Sequence, residues 1–459
     1  MNDCLCQYYR CPEQYASLVR NRQLSEGSGY FKLGRNTLYG RISGAGVASS
    51  PTKHLRDVFA EIRVEAGTVD LPFDPTESIN GLRYEVYTSS SNGWHPAHSV
   101  MGRAYYLIRP VLPVKLRRHL QKYRLNGWRH LTFPNWPVDL TVDSTIESLL
   151  LLLLKSRSLQ EIPFIWFWPD GASRCAIMTH DVETTAGRDF CPTLMDIDDS
   201  FGIKASFQIV PEKRYEVPVR YLDSIRKRGF EINVQDLNHD GHLFREEKEF
   251  RARAVRINAY GRQFAAEGFR SAILYRRQEW YDALQFSYDM SVPNVAHLDP
   301  QRGGCCTVMP YFVGDLVELP VTMMQDYSLF HILDDQSIDI WKWQAELIMA
   351  KHGLIHFIVH PDYITDRPSR TTYENLLAYL KELAKYKSIW MPLPREVASW
   401  WRERSQMHLV EVDGAWQIEG KGKERARIAY AREEDGQLAY SFESKCNLQK
   451  SPIPSKSVV

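Results

Sequence analysis

The chain has 459 residues, with 57 Lys and Arg against 56 Asp and Glu, and 44% hydrophobic side chains. That length is too great for one small core and predicts two or three domains. A formal charge of +1 excludes a dedicated nucleic-acid binder and a disordered tail protein.

The opening residues are polar and lack an apolar run of the kind a secretory leader needs, so no leader is expected. Cys4, Cys6 and Cys11 have no fourth metal ligand nearby, and reduced thiols in a cytoplasmic protein are the simplest account. Residues 1–160 form an N-terminal α+β region to which no chemistry is assigned. Within it a basic stretch from Lys115 to His130 predicts a solvated helix face. Leu149 to Leu154 are six leucines in a row, far short of the roughly 20 apolar residues a membrane span requires. They predict a buried helix segment, and no transmembrane segment is expected.

Residues 161–403 alternate short β-rich runs with amphipathic helical stretches. The expected strands are 175–179, 204–210, 230–234, 269–274, 286–290, 316–320, 354–359 and 388–391. Between them 219–228, 246–267, 337–351 and 371–386 have helical periodicity. Strand and helix in repeated alternation predict a parallel α/β sheet that closes, or nearly closes, into a barrel. Residues 404–459 change character again. Alternation at 408–412 and 426–430, with Asp413-Gly414 and Asp435-Gly436 as turns, predicts a small antiparallel β unit followed by a loose tail.

Polar residues gather after the barrel strands. The first delivers Thr179-His180-Asp181-Val182-Glu183, the third Gln235-Asp236-Leu237-Asn238-His239 and then His242, the fourth Arg270, and the seventh His360. A lone Asp after a strand is usually a cap or a turn former, but caps do not explain the joint pattern. Asp181 and Glu183, two apart, share one side of an extended chain, so one can bind a metal while the other acts as base. Gln235 and His239 are four apart and His239 and His242 three apart, spacings that share one face of a helical turn. Two imidazoles and a carboxylate are the usual ligands of catalytic zinc, which polarises a carbonyl and activates water. A further His such as His360 can protonate a leaving group.

At these residues the chain resembles the NodB-type polysaccharide deacetylases, carbohydrate esterase family four. The resemblance covers roughly residues 165–400 and implies a distorted (β/α) barrel that removes N-acetyl groups from carbohydrate with a divalent metal, zinc being expected. It implies Asp181 as general base, Arg270 as the cation that orients it and His360 as general acid. Glu183 and His239 become metal ligands, with Gln235 in place of the family's other histidine and Gln235 or His242 as the further contributor. Trp280 or Asp289 would stand for the family's fourth motif. A carbohydrate substrate is the expected partner. Two alternatives remain open at this point: a non-catalytic carbohydrate-binding barrel, and an amidohydrolase acting on a small-molecule amide.

Overall fold

The computed structural model describes residues 4–444 apart from 17, 52–53, 66, 90–124 and 126. The basic stretch from Lys115 therefore lies largely outside the described residues.

Eight barrel strands follow one another in the chain: β1 Arg174–Val182, β2 Ala205–Ile209, β3 Glu231–Gln235, β4 Gly268–Arg270, β5 Tyr288–Asp289, β6 Leu316–Glu318, β7 Leu354–Val359 and β8 Ile389–Trp390. The helices among and after them are α1 Thr185–Phe201, α2 Val219–Lys227, α3 Glu247–Gln263, α4 Asp339–Met349, α5 Arg367–Lys387 and α6 Pro394–Gln406. In space the strands run β6-β5-β4-β3-β2-β1-β7, all parallel, and β8 pairs with the start of β1. A short strand Tyr311–Val313 lies antiparallel on the far side of β6.

The gap between β6 and β7 is bridged by the irregular run that follows β6. Thr322 Oγ1 donates to the Leu354 carbonyl at 2.7 Å, and the Met323 N–H to the His356 carbonyl at 3.2 Å. The sheet is thus the distorted parallel (β/α) barrel that the sequence implied. Its strands are buried on both faces, as helix-covered parallel strands are. Gly268 is where two strands need close approach: a Cβ there would lie 2.3 Å from the Tyr288 ring.

Register decides where the chemistry falls. Asp181 pairs with Gln208, Arg270 with Gln235, Asp289 with both Phe269 and Glu318, and Val359 with His180. The carboxyl ends of neighbouring strands are therefore level, and their polar residues share one rim.

A second body of packing joins the N- and C-terminal regions to the barrel. The leucine-rich helix Thr141–Ser156 buries Leu149, Leu150, Leu153 and Leu154, as expected of a helix too short to span a bilayer. The C-terminal residues form two antiparallel hairpins, His408–Val412 with Ala415–Glu419 and Ile428–Glu434 with Gln437–Ser441, turning at the Asp-Gly pairs. The second hairpin also pairs with Ile162–Ile165, which makes a three-stranded sheet. One hydrophobic cluster runs through Tyr9, Phe31, Leu82 and Leu150, the barrel residues Cys175 and Tyr288, Trp400 of α6 and Ala429 of the hairpin. No helix among the described residues is long and apolar enough to cross a membrane.

Candidate active site at the barrel rim

Alternation along β1 sends Thr179 and Asp181 into the barrel and His180 outward. Inside, Arg270 is fully buried and its guanidinium is held on every side. Nη1 donates to Asp181 Oδ1 at 2.6 Å and to Thr179 Oγ1 at 2.8 Å, and Nε to the Met290 carbonyl at 3.0 Å. Nη2 lies 2.7 Å from His356 Nε2. The other ring nitrogen of His356 faces the Leu319 and Pro320 carbonyls at 3.1 Å, so the hydrogen-bond network assigns the proton to Nδ1 and leaves Nε2 as acceptor. Burial and the adjacent guanidinium push His356 well below the ordinary histidine range, so the ring is neutral.

Glu183 stands one residue beyond the end of β1, where Thr184 starts α1 by accepting from the Gly187 N–H at 3.0 Å. Three side chains converge on its Oε1: Gln235 Nε2 at 3.1 Å, His239 Nε2 at 2.7 Å and His360 Nε2 at 3.5 Å. Gln235 Nε2 also donates to Asp181 Oδ2 at 3.1 Å, so one amide bridges both carboxylates. Burial alone would raise the Glu183 carboxyl, but the two imidazoles outweigh it and hold the group well below the carboxylate range. Burial would likewise lower His360. The Asp326 and Glu183 carboxylates overcome that and raise it well above its ordinary value.

Asp326 is a residue the sequence did not single out. Its side chain is completely buried and accepts from His360 Nδ1 at 2.7 Å and from the His360 N–H at 2.6 Å. The ring is thereby fixed with Nε2 directed at Glu183. Asp326 lies in the irregular run after β6, where no periodicity marks it. Neither residue expected for the fourth motif takes this place. Trp280 packs on Phe244 and Phe250, and Asp289 accepts from the Ser291 N–H and hydroxyl.

Two further expectations are corrected by placement. The segment after β3 is not a helical turn: Asp236 and His239 have φ of +51° and +54°. The chain bends sharply at both, in the left-handed region that Asp and His tolerate better than most residues. Gln235 and His239 meet at Glu183 by that bend rather than by helical spacing. His242 is not brought to the cluster. Its ring is 41% exposed, and its nearest carboxylate oxygen is that of Asp240 at 3.9 Å. His180, facing outward, lies 3.0 Å from Asp198 and 3.2 Å from the Val359 carbonyl, a buried link between β1, α1 and β7.

Asp181, Glu183 and His360 each offer one ligand atom, all within 4.8 Å of one another. The donor set fits a divalent cation, with two carboxylates and neighbouring imidazoles. Gln235 Oε1 is buried and without a hydrogen-bond partner, and because the Nε2 of the same amide faces the two carboxylates, the side chain would have to turn over to offer that oxygen to a cation. This grouping takes His360 beside Glu183 where the family resemblance takes His239; Glu183 is common to both.

The fold and this rim define a distorted parallel (β/α) barrel with an acid–histidine cluster at the carboxyl ends of its strands. No protein-family model matches the chain, and no curated protein does. Among solved structures, a Mycobacterium smegmatis protein described as a polysaccharide deacetylase is 18% identical, with a TM-score of 0.42 over 52% of this chain and 93% of that one. A family 4 acetyl xylan esterase from Clostridium thermocellum, in complex with a cobalt ion, is 11% identical, with a TM-score of 0.33 over 50% and 91%. A mutant of a CE4-family pseudoenzyme with restored activity is 13% identical, with a TM-score of 0.30 over 49% and 67%. At these identities and scores the likenesses carry no substrate and no activity to this chain.

Proposed function

We propose that the chain is a metal-dependent hydrolase that removes an acyl group, N-acetyl in the first instance, from carbohydrate. One observation carries this reading. A base held by a buried guanidinium, an imidazole held by a buried carboxylate and a set of cation ligands meet at one rim. A structural ion-pair network has no need of all three.

Glu183 and His239 would hold the cation, with the Gln235 carbonyl available beside them once that amide turns over. When bound, a divalent cation polarises the acyl carbonyl and lowers the pKa of water. The remaining steps belong to the chain. Asp181, oriented by Arg270, takes a proton from water as its oxygen bonds to the acyl carbon. His360, charged through its pairing with Asp326, gives its Nε2 proton to the leaving nitrogen as the carbon–nitrogen bond breaks. The products are a free amine and a carboxylic acid that ionises to solvent, and the proton on Asp181 passes by way of solvent to His360, which restores both side chains.

A second reading has its own observation. The Gln235 amide donates to both carboxylates and so satisfies them without a cation, which suits a barrel that binds glycan without cleaving it.

Metal content of the purified protein, measured with acetate release from a panel of N-acetylated glycans and one small amide, separates the readings. The first expects stoichiometric metal, acetate release, and a loss of about 10²–10⁴-fold in kcat for Asp181→Asn. Gln235→His should raise zinc affinity at least tenfold, because imidazole is a better zinc ligand than an amide oxygen. If that substitution changes neither metal content nor acetate release, the ligand assignment is wrong.

A further inference from the structure

The irregular run from Leu319 to Asp326 crosses from β6 to β7, and it docks on β7 chiefly through one residue. The His356 N–H donates to Thr322 Oγ1 at 2.9 Å, and the His356 carbonyl accepts from the Met323 N–H at 3.2 Å. On the side chain, Nδ1 lies 3.1 Å from both the Leu319 and the Pro320 carbonyls. The same run ends at Asp326, whose carboxylate fixes His360.

The other edge of the His356 ring faces the barrel interior, with Nε2 2.7 Å from Arg270 Nη2. Carbonyls at Nδ1 need a hydrogen there, which leaves the lone pair of Nε2 to the guanidinium. Fastening the run to β7 requires the backbone bonds and Nδ1; it does not require Nε2. His356, Arg270 and Thr179 have no exposed surface, so water does not stand in for any of these contacts. A guanidinium is a rigid planar fork. With its acceptor gone, the buried Nη2 regains a partner only if the whole fork moves. That motion carries Nη1 away from Asp181 Oδ1, now 2.6 Å distant, and from Thr179 Oγ1 at 2.8 Å.

We propose that His356 is a positioning residue for the base: anchored by Nδ1 to the run that closes the barrel, it holds Arg270 on Asp181 through Nε2. The effect on turnover rests on the deacylase reading, whereas the holding of the guanidinium does not.

Two substitutions divide the ring between them. In His356→Asn the short amide reaches the place of Nδ1 and can still donate to the run, but it does not reach Arg270. In His356→Gln the longer amide can set an oxygen where Nε2 stands and loses the bonds at Nδ1. Acetate release is measured per bound metal, so that unfolded protein is not counted. His356→Asn should lose about 10²-fold in kcat with KM nearly unchanged, the loss expected when a reacting group is held slightly out of place. His356→Gln should recover at least about tenfold of that loss. A ring that merely fastens β7 predicts the opposite order, with Asn the better replacement.

Nitrogen NMR of the full chain reads the guanidinium without turnover, its signals being assigned by their loss in Arg270→Lys. Resolved Nη signals are expected in the parent and in His356→Gln, and broadened, freely turning ones in His356→Asn. If the parent releases no acetate but the spectra follow this order, the deacylase reading falls and the hold of His356 on Arg270 stands. The proposal is overturned if His356→Asn matches or exceeds His356→Gln in kcat per metal, or if the Nη signals of His356→Asn stay as resolved as the parent's.

Discussion

Arg270 has five N–H groups and no exposed surface, so its partners determine what its charge can do. Only one of them, Asp181, is a carboxylate; Thr179, Met290 and His356 are neutral acceptors. A neutral acceptor at position 356 therefore leaves the guanidinium charge undivided and directed at Asp181. Glu231, at the start of β3, shows what burial does to a carboxyl that has no such cation. It accepts from the Tyr288 hydroxyl and from the Arg395 N–H at 3.2 Å, yet burial dominates and raises it from 4.5 to about 7. The unfolded chain sheds this proton near 4.5 and the folded chain keeps it until about 7, so between those values the folded state binds more protons. Stability consequently falls as pH rises through that window, by about 3 kcal/mol at most from this group, and is flat above it. Glu231→Gln should abolish that slope. Urea midpoints at pH 4.5 and 7.5 should differ less in the variant than in the parent, and equal differences would show that Glu231 is not the cause.

Among the elements, the strands of the barrel were legible because each falls in an apolar run ended by polar residues, and α2 to α5 declared themselves by period, whereas α1 and α6 were not among the helices expected. Asp181, Glu183, Arg270 and His360 were legible for the same reason: they sit at or just past strand ends, where side chains turn to the rim. Asp326 and His356 were not. Asp326 lies in an irregular run that owes its course to closing the β6–β7 gap, a tertiary cause with no local signature. His356 interrupts an apolar strand four residues before His360, hence on the same side, and that spacing was the one available signal. The Gln235–His239 bend was misread because its left-handed residues are not glycines. The N-terminal strands are two to five residues each, and the longest of them, Gly29–Leu33 and Asn36–Gly40, show no in–out alternation of burial to betray them. Arg404 of α6 carries an element-scale prediction. It is 1% exposed and its guanidinium donates to the carbonyls of Tyr8, Tyr9, Ile165 and Trp166 at 2.7–3.1 Å, with no carboxylate among these partners. It pins the first helix, Cys4–Tyr9, and strand Ile162–Ile165 to α6 at once. Arg404→Met leaves those carbonyls without their donors and should cost at least about 3 kcal/mol, read as a lower urea midpoint. Arg404→Lys keeps the charge without the planar fork and should recover only part of that loss.

At the scale of the molecule, the changes of texture near residues 160 and 403 cross continuous packing. Glu85 pairs with the buried Arg276 after β4 and also accepts from the Gly304 N–H. Asp143 accepts from Thr307 Oγ1 at 2.8 Å and from the Val308 N–H at 3.0 Å, and Asn294 exchanges bonds with Asp139 at 2.8 Å in each direction. These are buried polar contacts between the N-terminal region and barrel loops, and removing one side leaves charges and amides without partners. Breaking a buried ion pair from one side typically costs about 3–5 kcal/mol, a large part of the roughly 5–15 kcal/mol a domain has to lose. Glu85→Ala should therefore destabilise the full chain by about that amount, and Glu85→Asp by less. A chain reduced to residues 161–403 loses Glu85, Asp139 and Asp143 together, along with Tyr9, Phe31 and Leu150 from the hydrophobic cluster that includes the barrel residues Cys175 and Tyr288. It should keep far-ultraviolet helix signal while losing near-ultraviolet signal and binding a hydrophobic dye, the behaviour of a collapsed state without fixed packing. A sharp, cooperative urea transition from that shortened chain would show instead that the barrel is self-sufficient and that the N-terminal region is an attachment to it.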